Sequence, residues 1–501
     1  MVSYSSYQFF QDWRYAIAKD FVTKSGDSYP YAHNGHKSWG QEDVKLPPIY
    51  AGTHDIHVLE TSTWTVVSVL RAHSSEIESL ALQPGTKGSV LVSSDNGRRD
   101  GSGSGKPTII IWDVARDGEP PSDTPLGSSK IELTDNAISS IVGNTATSVA
   151  AQLSEAMGIA LNEEQILELQ KSFTSPIQKV VEEHSIATKR TVHGRMRHST
   201  KSGTFSPSGG YMVYYPGDRP RSNDSAPWDM KICSLRQGSA GVEVQDHATL
   251  RGHTDCILWT GWSPDEKFFA SVAWDKTIRV WDAATGELKQ KFDTDGQNWT
   301  GAWSPDSRHL AATCGTGALF VYDVSDGSTV WEQHSEKEGR RMGWRRALAW
   351  HPEGKLLAVG AQELGRVVVL DTEKREPVSE RQLSVEQSRT DNEDARAFLG
   401  GWIEVRQLSF VDGGRKLVVF TGADDSIEVY DSEEEQKWRF SRGGTDDNVE
   451  GHEQWRDEEG KVTTSAGSGM LVWEDKTNGL LRLASLDCDG PRLWSVPLTG
   501  V

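Results

Sequence analysis

LRGHTDCILWTGWSPDEKFFASVAWDKTIRVWDAATGELKQKF, residues 250–292, decides the fold. Ile257 to Trp262 is apolar and β-prone, and Ser263-Pro264-Asp265-Glu266 has the composition of a turn. Lys267 to Ala273 is predicted as a second strand, with Asp275-Lys276 as the next turn. Thr277 to Trp281 alternates as a third strand, and a turn over Asp282 to Gly286 leads to a fourth from Leu288 to Phe292. Short strands separated by turns, with no helix between them, form an antiparallel meander rather than a βαβ unit. One such sheet cannot bury both of its faces. Several placed radially around an axis cover each other's faces and leave only short edges, which is the propeller architecture.

Gly252-His253 near the start of this stretch and Trp281-Asp282 near its end resemble the Gly-His and Trp-Asp signatures of WD-repeat proteins. The resemblance implies a buried hydrogen-bonded tetrad of His253, Ser271, Asp275 and Trp281. Its chemistry is coherent: a buried carboxylate needs donors, and an imidazole N–H, a hydroxyl and an indole N–H complete a satisfied chain. These residues are therefore read as structural, not catalytic. The resemblance further implies that partners dock on the narrower rim, which makes Trp274, Asp255, Trp259, Trp299 and Arg345 candidate partner-binding residues. Trp and Arg are strong interface anchors when exposed.

Fainter copies lie on both sides. LRAHSSEIESLALQP, VLVSSDNG and TIIIWDV place His73, Asp95 and Trp112 in the tetrad, with Ser93 as the hydroxyl member, although RRDGSGSGK swells the turn between the second and third strands. Repeats are expected near 71–120, 196–249, 250–292, 293–331, 332–390 and 395–440, with 1–70 and 441–501 closing the ring. The next copy after the quoted one keeps Ser304-Pro305-Asp306 and Tyr322-Asp323. Thr316 replaces its turn Asp and no His precedes it, so that blade is expected to rely on packing. The preferred reading is an all-β, seven-bladed propeller whose termini share a blade; the alternative, with each end building its own, is eight blades.

One stretch does not read as β. Between the second and third blades, within 121–195, Val149, Leu153 and Met157 fall at helical spacing. Asn162 is a candidate N-cap, with Glu163 and Glu164 in the first turn and an apolar stripe of Ile166, Leu167, Leu169 and Phe173. Pro176 is expected to open a third helical stretch. The insertion reads either as a lid packed on the propeller or as a docking element for a partner helix. Polar tracts at Ser384–Asp394 and Asp446–Gly460 lack apolar periodicity and read as loops or linkers.

The whole chain, 501 residues with 53 basic and 72 acidic side chains, has a formal charge of −19, which opposes general binding to polyphosphates or anionic membranes. Lys189 to Lys201 is a local basic exception, a solvated loop or a nucleic-acid contact. Four dispersed cysteines form no CxxC pair, no secretory signal is recognised, and no apolar run is long enough to span a bilayer, so an intracellular protein is expected. His33, His36, His54 and His57 form two HxxH pairs, but i and i+3 side chains of a strand face opposite sides, so no metal is expected. Gly101 to Thr108 is one residue short of a phosphate loop, and no GxSxG elbow, HExxH helix or dinucleotide fingerprint is present. The expectation is a non-enzymatic scaffold without cofactor, binding proteins or peptides in a multiprotein complex. A propeller enzyme with a channel site and a nucleic-acid-associated propeller are the alternatives.

Overall fold

A computed structural model describes residues 27–28, 49–51, 55–59, 66–71, 73, 75, 77–86, 90–95, 97, 106–113, 129–130, 135–157, 161–184, 186–187, 191–196, 203–218, 227–238, 241–334, 345–361, 366–382, 405–421, 427–433, 436–440, 470–487 and 490–499. The quoted stretch forms Ile257–Trp262, Phe268–Ala273, Thr277–Asp282 and Leu288–Asp293, paired in chain order as an antiparallel four-stranded sheet. Burial follows composition. Phe269, Ala270, Ser271, Val272 and Ala273 are all buried, because a neighbouring sheet covers each face. The fourth strand, LKQKFD, buries only Phe292. Its lysines discourage edge-to-edge pairing with another chain.

Sheets spanning 298–333, 345–382 and 405–440 repeat this order. The first strands of these four consecutive sheets pack side by side, and the apolar clusters cross from one sheet to the next. Tryptophan supplies much of the seam. Trp259 lies against Gly261 and Gly301, where a Cβ would come within about 2.6 Å of its ring. Trp303 donates its indole N–H to the Gly261 carbonyl at 3.0 Å, and one sheet further on Trp350 donates to Ala302 at the same distance. Trp259 contributes ring area to the seam, and Trp303 and Trp350 each find an acceptor in the neighbouring sheet for their one donor. The 19 tryptophans thus include a recurring connection between blades.

Toward the N-terminus two blades are fused into one seven-stranded sheet by Thr191–Arg195. Its first residues pair with Thr108–Asp113 and its last two with Met212–Pro216. The chain therefore leaves a sheet after Asp113 and returns to the same sheet at Thr191, so the insertion interrupts a blade at the connection between its last two strands. The insertion holds two helices, α1 (Asp135–Met157) and α2 (Glu163–His184), which pack on each other. Val142, Ala146 and Ala150 form the buried stripe of α1. Asn162 caps α2 reciprocally with Gln165, at 2.9 and 3.0 Å. Pro176 lies inside α2 and does not open a third helix. The missing Pro N–H removes one helical bond, which α2 spans without ending.

The two ends of the chain contribute to two sheets, one of them shared between them. Ile49–Ala51, Asp55–Leu59 and Val66–Arg71 form one, and Met470–Asp475, Leu480–Asp487 and Gly490–Pro497 form the other, which also takes Asp27–Ser28 beside its last strand. Counting the fused sheet as two and leaving out the short Ser129–Lys130 pair, eight propeller-type sheets are present among the described residues. The loop and tract at 384–394 and 446–460, the swollen 98–105 turn, and His33, His36 and His54 lie outside the described residues.

Candidate functional site

At the edge where each first strand begins, His253, Ser271, Asp275 and Trp281 come together. His253 Nδ1 lies 2.7 Å from Asp275 Oδ2 and its Nε2 lies 2.7 Å from Ser271 Oγ, which accepts the Trp281 indole N–H at 3.0 Å. An ionised carboxylate can only accept, so the imidazole proton sits on Nδ1 and Nε2 accepts from the serine. Burial holds the imidazole below its ordinary pKa, partly offset by Asp275. Burial would raise Asp275, but His253, the Thr277 hydroxyl and the Thr254 N–H outweigh it and hold the carboxyl at about 2. The result is a neutral imidazole donating to a fixed carboxylate.

The second constellation has the same geometry. His73 lies 2.8 Å from Asp95 and 2.6 Å from Ser93, and Trp112 donates to Ser93 at 2.6 Å. Thr108 donates both its N–H and its hydroxyl to Asp95. Ser93 is thus the hydroxyl member.

The sheet after the quoted one departs from the expectation of packing alone. Thr294, four residues before its first strand as His253 is before Ile257, places its hydroxyl 2.9 Å from Asn298. Asp295 accepts from Cys314 and Thr316 at 3.3 Å, and the thiol and hydroxyl lie 2.8 Å apart. Small polar groups replace the tetrad. The partial signature also has a local reason that sequence reading missed. Asp282, Asp323, Asp371 and Asp431 each accept a backbone N–H two residues ahead, so this Asp is retained where Trp281 is replaced by Tyr322, Leu370 or Tyr430.

Of the candidate partner-binding residues, Trp259 is a correction: it is only 6% exposed and fills the seam, because two flanking glycines leave room for its ring. Trp274 and Trp299, from adjacent sheets, meet edge to face at 5.5 Å and are half-buried. Arg346 of the next sheet, which was not anticipated, lays its guanidinium 4.2 Å from the Trp299 ring. Arg345 is largely enclosed, contacts Gln333 at 3.3 Å, and is pushed down to about 10 by burial and by the charge of Arg366. Asp255 is half-buried, and its carboxylate accepts the Cys256 N–H at 2.7 Å. The basic 189–201 segment contributes strand residues Thr191–Arg195. Arg195 and Met196 are buried, with Arg195 over the Tyr215 ring at 6.0 Å. Among the described residues no cluster of three or more His, Cys, Asp or Glu could hold a metal, and no helix is long and apolar enough to cross a membrane.

These sheets, with His/Ser/Asp/Trp tetrads at one edge, are those of a WD-repeat β-propeller. The family model described as "WD domain, G-beta repeat" matches residues 245–282. The chain is similar to THO complex subunit 3 of Arabidopsis thaliana, 25% identical over 143 residues, 26% of this chain and 45% of that one. It is also similar to a ribosome biogenesis protein WDR12 homolog of Chlamydomonas reinhardtii, 27% identical over 192 residues, 37% of this chain and 39% of the relative. The chain spans less than half the length of each. The crystal structure of Chaetomium thermophilum Sqt1, bound to the N-terminus of the ribosomal protein L10, superposes with a TM-score of 0.55 at 12% identity, over 95% of this chain and all of that one. The chain carries a WD repeat over residues 245–282 and has the fold of WD-repeat propellers.

Proposed function

We propose that the chain is a non-catalytic scaffold within an intracellular multiprotein assembly, and that it holds a protein or peptide segment at the edge carrying Trp274 and Trp299. The observation that carries this reading is the cluster of two half-buried indoles and a stacked guanidinium contributed by three consecutive sheets. Rigid aromatic and Arg groups assembled across elements are the composition of an interface anchor. Relatives named for the THO complex and for ribosome biogenesis, and a structural neighbour bound to a ribosomal-protein terminus, support a binding role of this kind.

The two tetrads are assigned to holding their blades together, and the count of eight sheets favours eight blades over seven, with Asp27–Ser28 joining the C-terminal sheet so that the two ends share one blade. The insertion is assigned a docking role secondary to the aromatic edge. Affinity capture with the intact chain, a Trp274→Ala/Trp299→Ala variant and a chain lacking the α1–α2 hairpin tests this. The double variant is expected to lose at least one specific partner while retaining its melting temperature within a few degrees. Partners unchanged in both variants would refute the assignment of these surfaces.

A further inference from the structure

Three seams between consecutive sheets are closed at their outer side by an aromatic residue of the fourth strand. Phe292 stacks on Tyr322 of the next sheet at 4.0 Å. Trp331 packs in one apolar cluster with Leu348 and Leu357 of the sheet that follows it, and Trp438 does so with Leu481 and Trp494. The seam between the sheets of 345–382 and 405–440 is built differently. Trp331 pairs with Val321 and Trp438 with Val429, and at the matching register Ser379 pairs with Val369. Arg381 holds the register of Phe292 and lays its guanidinium 4.8 Å from the Tyr430 ring, as Phe292 lies on Tyr322. Ser379 leaves the rest of the space open. The result is a groove of about 910 Å³ floored by Leu356, Val369, Leu417 and Tyr430, a size typical of ligand sites. Val378, 42% exposed, adds an apolar side chain to its lining. The groove reaches His351 and Asp412, beyond the ends of the first strands, so it lies at the edge opposite the Trp274–Trp299 cluster.

We infer that this groove takes a tryptophan side chain presented by a partner peptide whose flanking residues are basic. Two neighbouring seams already hold an indole at this register, and serine there removes the ring while leaving the walls that would contact it. An aromatic anchor seated in such a pocket carries most of the binding energy of an interface. The charge of the flanks follows from the rim. Lys355 is matched by Glu353 at 3.0 Å and Arg415 by Glu433 at 2.8 Å. Asp371 and Glu376 are paired positions on the groove side of their sheet. In the turn they bound, Asp371, Glu373 and Glu376 face only Lys374 and Arg375. The local excess is therefore negative, the sign of the whole chain with its charge of −19, and a cationic segment is drawn to it. This site is separate from the Trp274–Trp299 edge and does not depend on it.

The test is fluorescence anisotropy of the full chain with a labelled Lys-Lys-Trp-Lys-Lys peptide and its Lys-Lys-Ala-Lys-Lys and Glu-Glu-Trp-Glu-Glu counterparts. The first is expected to bind most tightly and to weaken as salt is raised. Loss of its indole is expected to weaken it by about tenfold or more, as for an interface anchor. Ser379→Trp supplies the ring from within, as Trp331 and Trp438 do. It is expected to keep or raise the melting temperature while weakening the Lys-Trp peptide by about tenfold or more. Val378→Lys changes only an exposed residue of the lining, so it remains informative if Ser379→Trp folds poorly; it is expected to weaken the same peptide several-fold. Equal binding of the alanine peptide, a stable Ser379→Trp chain or a Val378→Lys chain that binds undiminished, or preference for the Glu peptide would each overturn the assignment. Light scattering on the same chains covers the other occupant: a parent that dimerises and a Ser379→Trp variant that does not would give the groove to a second copy of this chain instead.

Discussion

The sheet of 257–293 and the sheet of 298–333 are neighbours with the same strand order, the same bulge near the start of the first strand and the same Ser-Pro-Asp turn. Only the first has the tetrad. In the second, Thr294, Asn298, Asp295, Cys314 and Thr316 make shorter-reaching contacts in the same region. The two strand frameworks nevertheless agree, so the meander follows from apolar burial on two faces and from turn chemistry, and the tetrad adds local fixation. This difference explains how the repeat can decay along the chain without loss of architecture: satisfied polar groups of several kinds can occupy the edge, whereas an unsatisfied one cannot.

The comparison breaks most severely at the seam the two sheets share. Trp259→Ala would empty the space between Gly261 and Gly301 and is expected to cost about 3–5 kcal/mol, as large-to-small aromatic substitutions in cores do. Amide hydrogen exchange should show both sheets losing protection together; loss confined to one sheet would contradict a shared seam.

A smaller effect, confined to one side, is expected from Asp275→Ala. It leaves His253, Thr277 and Thr254 without their acceptor, at a cost of roughly 2–3 kcal/mol. Acid should mimic it. The folded-state pKa values of Asp275 and His253 both lie below their ordinary values, so the unfolded chain takes up more protons as pH falls. The His253 contribution is complete above its ordinary pKa and is lost as pH falls below about 6.5 toward the lower folded-state value. The Asp275 contribution is lost from about pH 4 toward 2. Thermal melts between neutral pH and about pH 5 should show a shallower decline in a His253→Gln variant than in the parent. Equal slopes would remove His253 from the acid response.

The smallest change is expected from Thr316→Ala in the neighbouring sheet. Thr316 is exposed and its contacts to Asp295 and Cys314 can be replaced by water, so the cost should be about 1 kcal/mol or less. Denaturation as damaging as that of Asp275→Ala would mean that the substitute contacts work as a tetrad after all.

The sequence by itself determined the strand order of the repeat, the members of both tetrads and the presence of helices in the insertion. Each of these is written in local spacing: turn residues between β-prone runs, a His and an Asp at set distances from a Trp, an apolar stripe at helical period. Tertiary structure decided what depends on which sheets are neighbours. Trp259 and Trp274 look equivalent along the chain, yet the glycines of two sheets enclose the first, while the second meets Trp299 at the edge. Arg346 gains its place from a bulge and from a tryptophan 47 positions earlier, and no short-range pattern encodes that approach. The return of Thr191 to the sheet left at Asp113, and the joining of Asp27–Ser28 to the C-terminal sheet, are likewise long-range pairings. Periodicity specifies which face of a strand is apolar; the packed ring specifies which residue covers it.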